Sequence, residues 1–147
     1  MAHLREASQQ LVARHQSLRS YFDQDSTTQT ILPQLTIAIP FIDLSQQDPA
    51  TAGEALEALR EAEVTEAFDL FTGPLFRLKV IRLSEVDHRI LMTAHHGIAD
   101  GWSCGILAKE LGALYSALHR GVPARLAPVK ALEDFVADQQ AYLQSEA

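Results

Sequence analysis

Apolar residues recur at intervals of three and four along four stretches of the chain, and this spacing predicts four helices. They cover roughly residues 4–20, 48–67, 102–121 and 132–144. The second helix has a clear start, since Asp48 can cap it and a proline fills its first position. The third is predicted to end near a glycine that a proline soon follows.

The segments between these helices favour strands. Residues 76–82 alternate apolar and basic side chains, which is the period of a half-buried strand, and residues 89–94 form an apolar run that predicts a buried strand. The turn-rich residues 84–88 join the two as a hairpin. Residues 31–39 predict a further strand, with an irregular start at Pro33. We therefore expect one α/β or α+β domain, with helices packed on a mixed, mostly antiparallel sheet.

The composition of the chain excludes some classes of partner but does not indicate which reaction the chain catalyses. The formal net charge is −7 and the isoelectric point about 5.2, which argues against nucleic acid as a partner. No apolar run approaches the ~20 residues of a membrane span. With Cys104 as its single cysteine, the chain has no internal disulfide, and a cytoplasmic location is expected. The acidic residues of the second predicted helix are expected to be solvated: Glu54, Glu57, Glu61, Glu63 and Glu66.

The strongest candidate site is the sequence HHGIADG at residues 95–101, where a predicted strand meets a predicted helix. Neighbouring residues of a strand point to opposite faces, so one of His95 and His96 should face an open cavity while the other is packed and hydrogen-bonded. An imidazole with an ordinary pKa of about 6.5 can accept a proton from an amine or hydroxyl at neutral pH. Asp100 could orient an imidazole, cap the next helix or pair with an arginine, and these roles stay open.

Other interpretations of this segment are weaker. The two histidines could be ordinary packed residues, and Asp-Gly is a common turn signal. A metal site is disfavoured because HExxH and CxxC spacings are absent from the sequence. Ser103 lacks the GxSxG context of a nucleophile, and Cys104 lies one turn into a predicted helix, so neither is taken as a nucleophile.

Three segments together resemble motifs of one family. HHGIADGWS at 95–103 matches an HHxxxDG core with its usual WS continuation, and RHQSLRSYF at 14–22 resembles RHxxLRTxF with serine for threonine. AFDLFTGPLFR at 67–77 resembles PFDLxxGPLxR with alanine for the first proline. The chain thus resembles the N-terminal lobe of the condensation domains of nonribosomal peptide synthetases, in the chloramphenicol-acetyltransferase-like superfamily.

The resemblance implies amide formation between two carrier-bound substrates. A donor carrier protein would present an acyl or peptidyl thioester and an acceptor carrier an aminoacyl group, both on phosphopantetheine arms, with no cofactor bound directly. His96 would be the catalytic histidine and His95 its inward structural partner. Asp100 would be structural and best paired with an arginine. Gly101 would keep the tunnel mouth clear and could lend a backbone N–H.

The motif arginines and the residues after the heptad complete the implied site. At least one of Arg14 and Arg19 is expected to form a structural ion pair. Trp102 and Ser103 are candidates for substrate contact, although packing at the helix start is the favoured role for Trp102.

The same resemblance implies that residues 1–147 are a partial domain. The family's first strand and helix and its C-terminal lobe would be missing, so little or no condensation activity is expected of the chain alone. An apolar lobe interface would then be exposed, and self-association would follow. Two alternatives remain: a related acyltransferase that forms an ester, and a non-catalytic lobe that docks a carrier protein.

Overall fold

The computed structural model describes residues 1–25 and 27–145 of the 147. The helices and strands follow in chain order: α1 (Ala2–Arg14), a short 3-10 helix (Gln16–Arg19), β1 (Ser20–Phe22), β2 (Gln29–Ile31), β3 (Phe41–Asp43), α2 (Pro49–Thr65), β4 (Phe76–Arg82), β5 (His88–Ala94), α3 (Gly101–Arg120) and α4 (Leu132–Ser145).

The central sheet has the order β3-β4-β5. Strand β3 runs parallel to β4, and β4 and β5 form the expected antiparallel hairpin, in which Arg77 lies opposite Thr93. Strands β1 and β2 form a separate antiparallel pair. The predicted mixed, mostly antiparallel sheet is confirmed. The single strand expected over residues 31–39 is wrong: β2 ends at Ile31, β3 begins only at Phe41, and Pro33 within the segment lacks the N–H that a ladder needs.

Helices cover both faces of the sheet. The main core lies between the sheet and the packed pair α1 and α3, and its buried residues include Leu4, Leu11, Leu18, Phe76, Leu78, Val80, Leu107, Leu111 and Leu114. A smaller cluster joins the other face to α2 and has Leu44, Ala52 and Ile81 at its centre. The alternation of residues along β4 produces both cores, because successive side chains enter opposite layers.

The helix ends follow local chemistry. Asp48 accepts hydrogen bonds from the backbone N–H groups of Ala50 and Thr51, which confirms the predicted cap of α2. Helix α3 ends at Gly121, whose φ of 65° is the left-handed conformation that glycine adopts without strain. The first predicted helix is too long, because His15 is extended (φ −100°, ψ 106°) and separates α1 from the 3-10 helix.

Two burial expectations are wrong. Strand β5 is an edge strand, and its first three residues are exposed while the rest are half-buried, so it is not the buried strand that its apolar run suggested. Glu63 is only 4% exposed, although its helix position suggested a solvated acid. Its carboxylate forms ion pairs with Lys79 and Arg77 of the sheet. The last helix forms as predicted, but it has no buried residue.

Candidate active site

The two histidines of the heptad diverge at the end of β5. The His95 N–H donates to the Leu75 carbonyl at 2.9 Å, extending the β4–β5 pairing by one residue. His95 is half-buried, and its ring lies edge to face with Phe68 at a centroid distance of 6.1 Å. Its Nδ1 accepts a hydrogen bond from the Gly97 N–H at 3.0 Å. His96 is exposed, so one histidine is packed and the other is open.

His96 faces solvent and not an enclosed cavity. A cavity of about 560 Å³ lies at the opposite end of β5, where His88, Ile90 and Met92 line it together with α1 and α3. No heptad residue lines that cavity. The cavity therefore does not belong to the heptad, and the expectation that one of the two histidines faces an open cavity stays a prediction.

Asp100 is the N-cap of α3. Its carboxylate accepts hydrogen bonds from the Ser103 backbone N–H at 2.7 Å and from the Ser103 hydroxyl at 2.6 Å. These two bonds from Ser103 hold the Asp100 pKa below its ordinary value, with a further contribution from the charge of His96. Of the three roles left open, helix capping is observed. The expected arginine pairing is wrong in the described part of the chain, where no arginine forms an ion pair with Asp100.

The glycines of the heptad differ in their surroundings. A Cβ on Gly97 would lie 3.1 Å from His95 Nδ1 and 3.1 Å from the ring of Phe22, so a side chain would displace one of them. Gly101 is the first residue of α3, and a Cβ there would meet nothing within 4 Å. The close approach at Gly97 shapes the loop, whereas Gly101 lies at an open surface.

Arg14 and Arg19 lie away from the heptad contacts. Arg14 Nε donates to Glu110 Oε2 at 2.9 Å, and its Nη2 also donates to the Ala127 carbonyl. The expected ion pair of a motif arginine is therefore present, and it joins α1 to α3. Arg19 donates through Nη1 to the Leu32 carbonyl, which ties the 3-10 helix to the end of β2.

Trp102 does not pack at the start of α3. Its side chain is 82% exposed, so the packing role favoured from sequence is wrong in this structure. The helical period places Trp102 on the side of α3 opposite its buried residues Leu107 and Leu111. Ser103 lies on the same turn, and its hydroxyl is engaged by Asp100.

Sequence reasoning missed the residues that hold His95. Phe68 contacts its ring, and the Arg77 guanidinium carbon lies 3.9 Å from the centre of the Phe68 ring. Both residues belong to the segment that resembles PFDLxxGPLxR, but only the strand register shows that this segment lies beside His95. Arg77 lies opposite Thr93, and strand alternation puts His95 on the same face.

The described residues offer neither a metal cluster nor a membrane-spanning helix. In residues 1–25 and 27–145, no three His, Cys, Asp or Glu side chains are close enough to hold a metal ion. In the same residues, no helix combines the length and the apolar character needed to cross a bilayer.

Comparisons with known proteins agree with this fold. The Condensation domain family model matches residues 1–147. Malpibaldin synthetase from Mortierella alpina is 38% identical over 136 residues, which is 90% of this chain and 2% of that protein. The starter condensation domain of rhizomide synthetase RzmA superposes with a TM-score of 0.86 at 23% identity, covering 97% of this chain and 34% of that one, and shows the fold alone.

A further solved structure is more similar in sequence. SgcC5 from Streptomyces globisporus, in complex with (R)-(-)-1-(2-naphthyl)-1,2-ethanediol and sucrose, is 30% identical with a TM-score of 0.80, covering 99% of this chain and 33% of SgcC5. The chain thus spans about a third of these structures and a small part of malpibaldin synthetase. Because the family model matches along the whole sequence, the resemblance is confirmed, and the chain belongs to the condensation-domain family.

Proposed function

We propose that this chain is the histidine-bearing part of an acyltransferase that forms amide bonds in nonribosomal peptide synthesis. The acceptor amine attacks the carbonyl carbon of the donor thioester, a C–N bond forms, the C–S bond breaks, and the thiol of the donor arm leaves with a proton. Donor and acceptor peptidyl carrier proteins present both substrates on phosphopantetheine arms. One observation carries the proposal: an exposed imidazole, that of His96, stands at a strand-to-helix junction beside a packed, hydrogen-bonded partner.

His96 is the proposed catalytic residue because it is the member of the pair open to an incoming substrate. His95 and Asp100 are supporting residues, since their polar atoms are engaged in the loop and in the cap of α3. Gly101 leaves the surface at the start of α3 open. Arg14 and Arg19 act at a distance, through the contacts that fix α1 and the 3-10 helix.

The proposal extends to Trp102 and to the second wall of the site. An indole that is 82% exposed in the first turn of α3, directly after the heptad, is suited to contact substrate or the complementary C-terminal lobe of the domain. Such a lobe would enclose His96, which stands open among the described residues. Without it the chain has little or no condensation activity, because one wall does not hold two tethered substrates in attack geometry.

Exposed apolar residues favour self-association of the isolated chain. Helix α4 presents Phe135, Val136 and Leu143 to solvent, and Ile106 lies one turn beyond Trp102. Larger apolar patches commonly mark interaction sites. We propose that the C-terminal lobe covers these surfaces in the complete domain and that copies of the chain cover them when it is alone.

Ester formation is a second candidate. SgcC5, 30% identical over nearly all of this chain, has been solved with a diol, and a hydroxyl can replace the amine as the nucleophile at the same histidine. Matched amine and alcohol acceptors separate the two reactions. A lobe that only docks carrier proteins would bind them without turnover.

Intact-mass spectrometry of carrier proteins after a single turnover tests the proposal. The chain is joined to a C-terminal lobe and mixed with an acyl-loaded donor carrier and an aminoacyl-loaded acceptor carrier. Wild type should shift the acceptor mass by the acyl group, and His96→Ala should abolish the shift. His88→Ala, which removes an exposed histidine at the other end of β5, is the matched control and should retain it. Transfer that survives His96→Ala would refute the catalytic assignment, and absence of transfer with intact carrier binding would support the docking lobe.

A further inference from the structure

We propose that Phe68 and Arg77 are positioning residues for the histidine pair, and this inference rests on the proposed function. They hold the His95 ring so that its Nδ1 accepts the Gly97 N–H, and this contact fixes the turn that carries His96. The structure thus assigns a role to the segment at 67–77 that its sequence alone does not give.

The Arg77 guanidinium is held by contacts that do not involve the Phe68 ring. Its Nη2 donates to the Glu66 carbonyl at 2.6 Å and to the Glu63 carbonyl at 3.3 Å. Its Nη1 lies 3.2 Å from Glu66 Oε1. The guanidinium is therefore held by the last turn of α2, and its orientation does not depend on Phe68.

Phe68 lies between this anchored guanidinium and His95. The guanidinium stacks on the phenyl ring at 3.9 Å, while the His95 ring meets it at an interplanar angle of 82°. A cation over the ring face and a second ring at right angles are both favourable for an aromatic quadrupole. These two contacts restrict rotation of the Phe68 ring. Because the His95 ring packs against Phe68, its rotation is restricted as well.

The far side of His95 is fixed by the loop itself. Because the Gly97 N–H points at Nδ1, that nitrogen is the acceptor, and in the neutral ring the proton is on Nε2. The Ile98 N–H also donates to the His95 carbonyl at 3.0 Å, which closes the turn. His96 lies inside this turn, so a rotation of the His95 ring would break the hydrogen bond that joins the residue before His96 to the residue after it.

Nuclear magnetic resonance of the 15N-labelled 147-residue chain tests the inference without turnover. Long-range ring correlations should show the Nε2–H tautomer for wild-type His95. Phe68→Leu should shift His95 toward a mixture of tautomers and raise the exchange rate of the Gly97 amide about threefold to tenfold, the factor that corresponds to one typical hydrogen bond. Phe68→Tyr, which keeps the ring, should retain the wild-type signals.

Matched controls separate positioning from general loss of stability. Phe71→Leu removes an exposed phenyl group from the same segment at 67–77, and Arg82→Lys alters an arginine of the same strand as Arg77, one that pairs with Asp43. Neither should move the His95 signals, whereas Arg77→Lys should. Unchanged signals in both Phe68→Leu and Arg77→Lys, or equal changes in the controls, would overturn the proposal. If Phe68→Leu does not fold, the comparison of Arg77→Lys with Arg82→Lys decides.

The mass-transfer assay gives the second readout. In the two-lobed enzyme, Phe68→Leu should lower the single-turnover rate tenfold or more with carrier binding unchanged, because misplacing a catalytic group slows the reaction. A wild-type enzyme without transfer would refute the proposed function, while the resonance data would still decide whether Phe68 and Arg77 position His95. A normal rate in Phe68→Leu would overturn the positioning role.

Discussion

Thr93 of β5 donates its hydroxyl to the Glu63 carboxylate of α2 at 2.8 Å. The same carboxylate lies 2.5 Å from Lys79 Nζ and 3.5 Å from Arg77 Nε, so one buried acid joins the helix to two strands. This cluster lies on the sheet face that also carries His95. Arg77 therefore contributes both to the packing of α2 on the sheet and to the surroundings of His95.

Replacing this acid should weaken the fold. Glu63→Gln leaves the Lys79 ammonium without its main partner, and we expect the free energy of unfolding to fall by about 2 kcal/mol. The loss is smaller than for a fully buried pair because Lys79 is partly exposed and Glu66 lies nearby. Urea unfolding measures it. Glu61→Gln, on the exposed face of the same helix, is the control, and an equal loss there would contradict the assignment.

The same cluster predicts how stability depends on pH. Burial alone would raise the Glu63 pKa, but Lys79 and Thr93, with the charge of Arg77, outweigh burial and hold it below the ordinary 4.5. A lowered pKa in the folded state means stabilisation that is complete above about pH 4.5 and lost as the pH falls through the folded-state value. Unfolding free energies measured from pH 7 to pH 3 should therefore decline more steeply for wild type than for Glu63→Gln. Parallel curves would contradict this.

The two heptad glycines should respond differently to alanine. Gly97→Ala places a methyl group 3.1 Å from the Phe22 ring and His95 Nδ1, and we expect a loss of about 1–2 kcal/mol in stability. Gly101→Ala meets open space at the start of α3 and should change stability by less than about 0.5 kcal/mol. Thermal unfolding of both variants tests this, and a larger loss at Gly101 would contradict the described packing.

Arg14 should restrict the motion of the segment that follows α3, because it donates to the Ala127 carbonyl. Its guanidinium reaches both Glu110 and the Ala127 carbonyl, a planar arrangement that lysine does not reproduce. Arg14→Lys should lower stability by about 1 kcal/mol and raise amide exchange over residues 124–130. Arg60→Lys, whose arginine is exposed on α2, should do neither. Unchanged exchange in Arg14→Lys would exclude this restraint.

Periodicity predicted the elements well, and local chemistry explains the rest. The caps at Asp48 and Gly121 were predictable because each depends on neighbouring residues only. Glu63 was misread because helical spacing shows which residues share a face but not that the sheet offers Lys79 and Thr93 to one of them.

Part of the candidate site was also predictable from the sequence. The heptad was singled out from its residues as the candidate site, and its catalytic role stays a prediction. Strand alternation correctly predicted that one histidine is packed and the other is open. The predicted pairing of Asp100 with an arginine was wrong, because Ser103, three residues later, donates its hydrogen bonds to this carboxylate. Phe68 was missed because its contact with His95 spans 27 positions and arises from sheet register.

The hydrogen bonds that shape the turn from His95 to Ser103 connect residues only two to four positions apart. Contacts so close in sequence close small loops, which form quickly and cost little chain entropy. The turn can therefore take its shape as soon as a strand is available before it and a helix after it, whatever becomes of the surrounding sheet. Its outline would survive transfer to another strand–helix unit, whereas the orientation of the His95 ring, which depends on distant Phe68, would not.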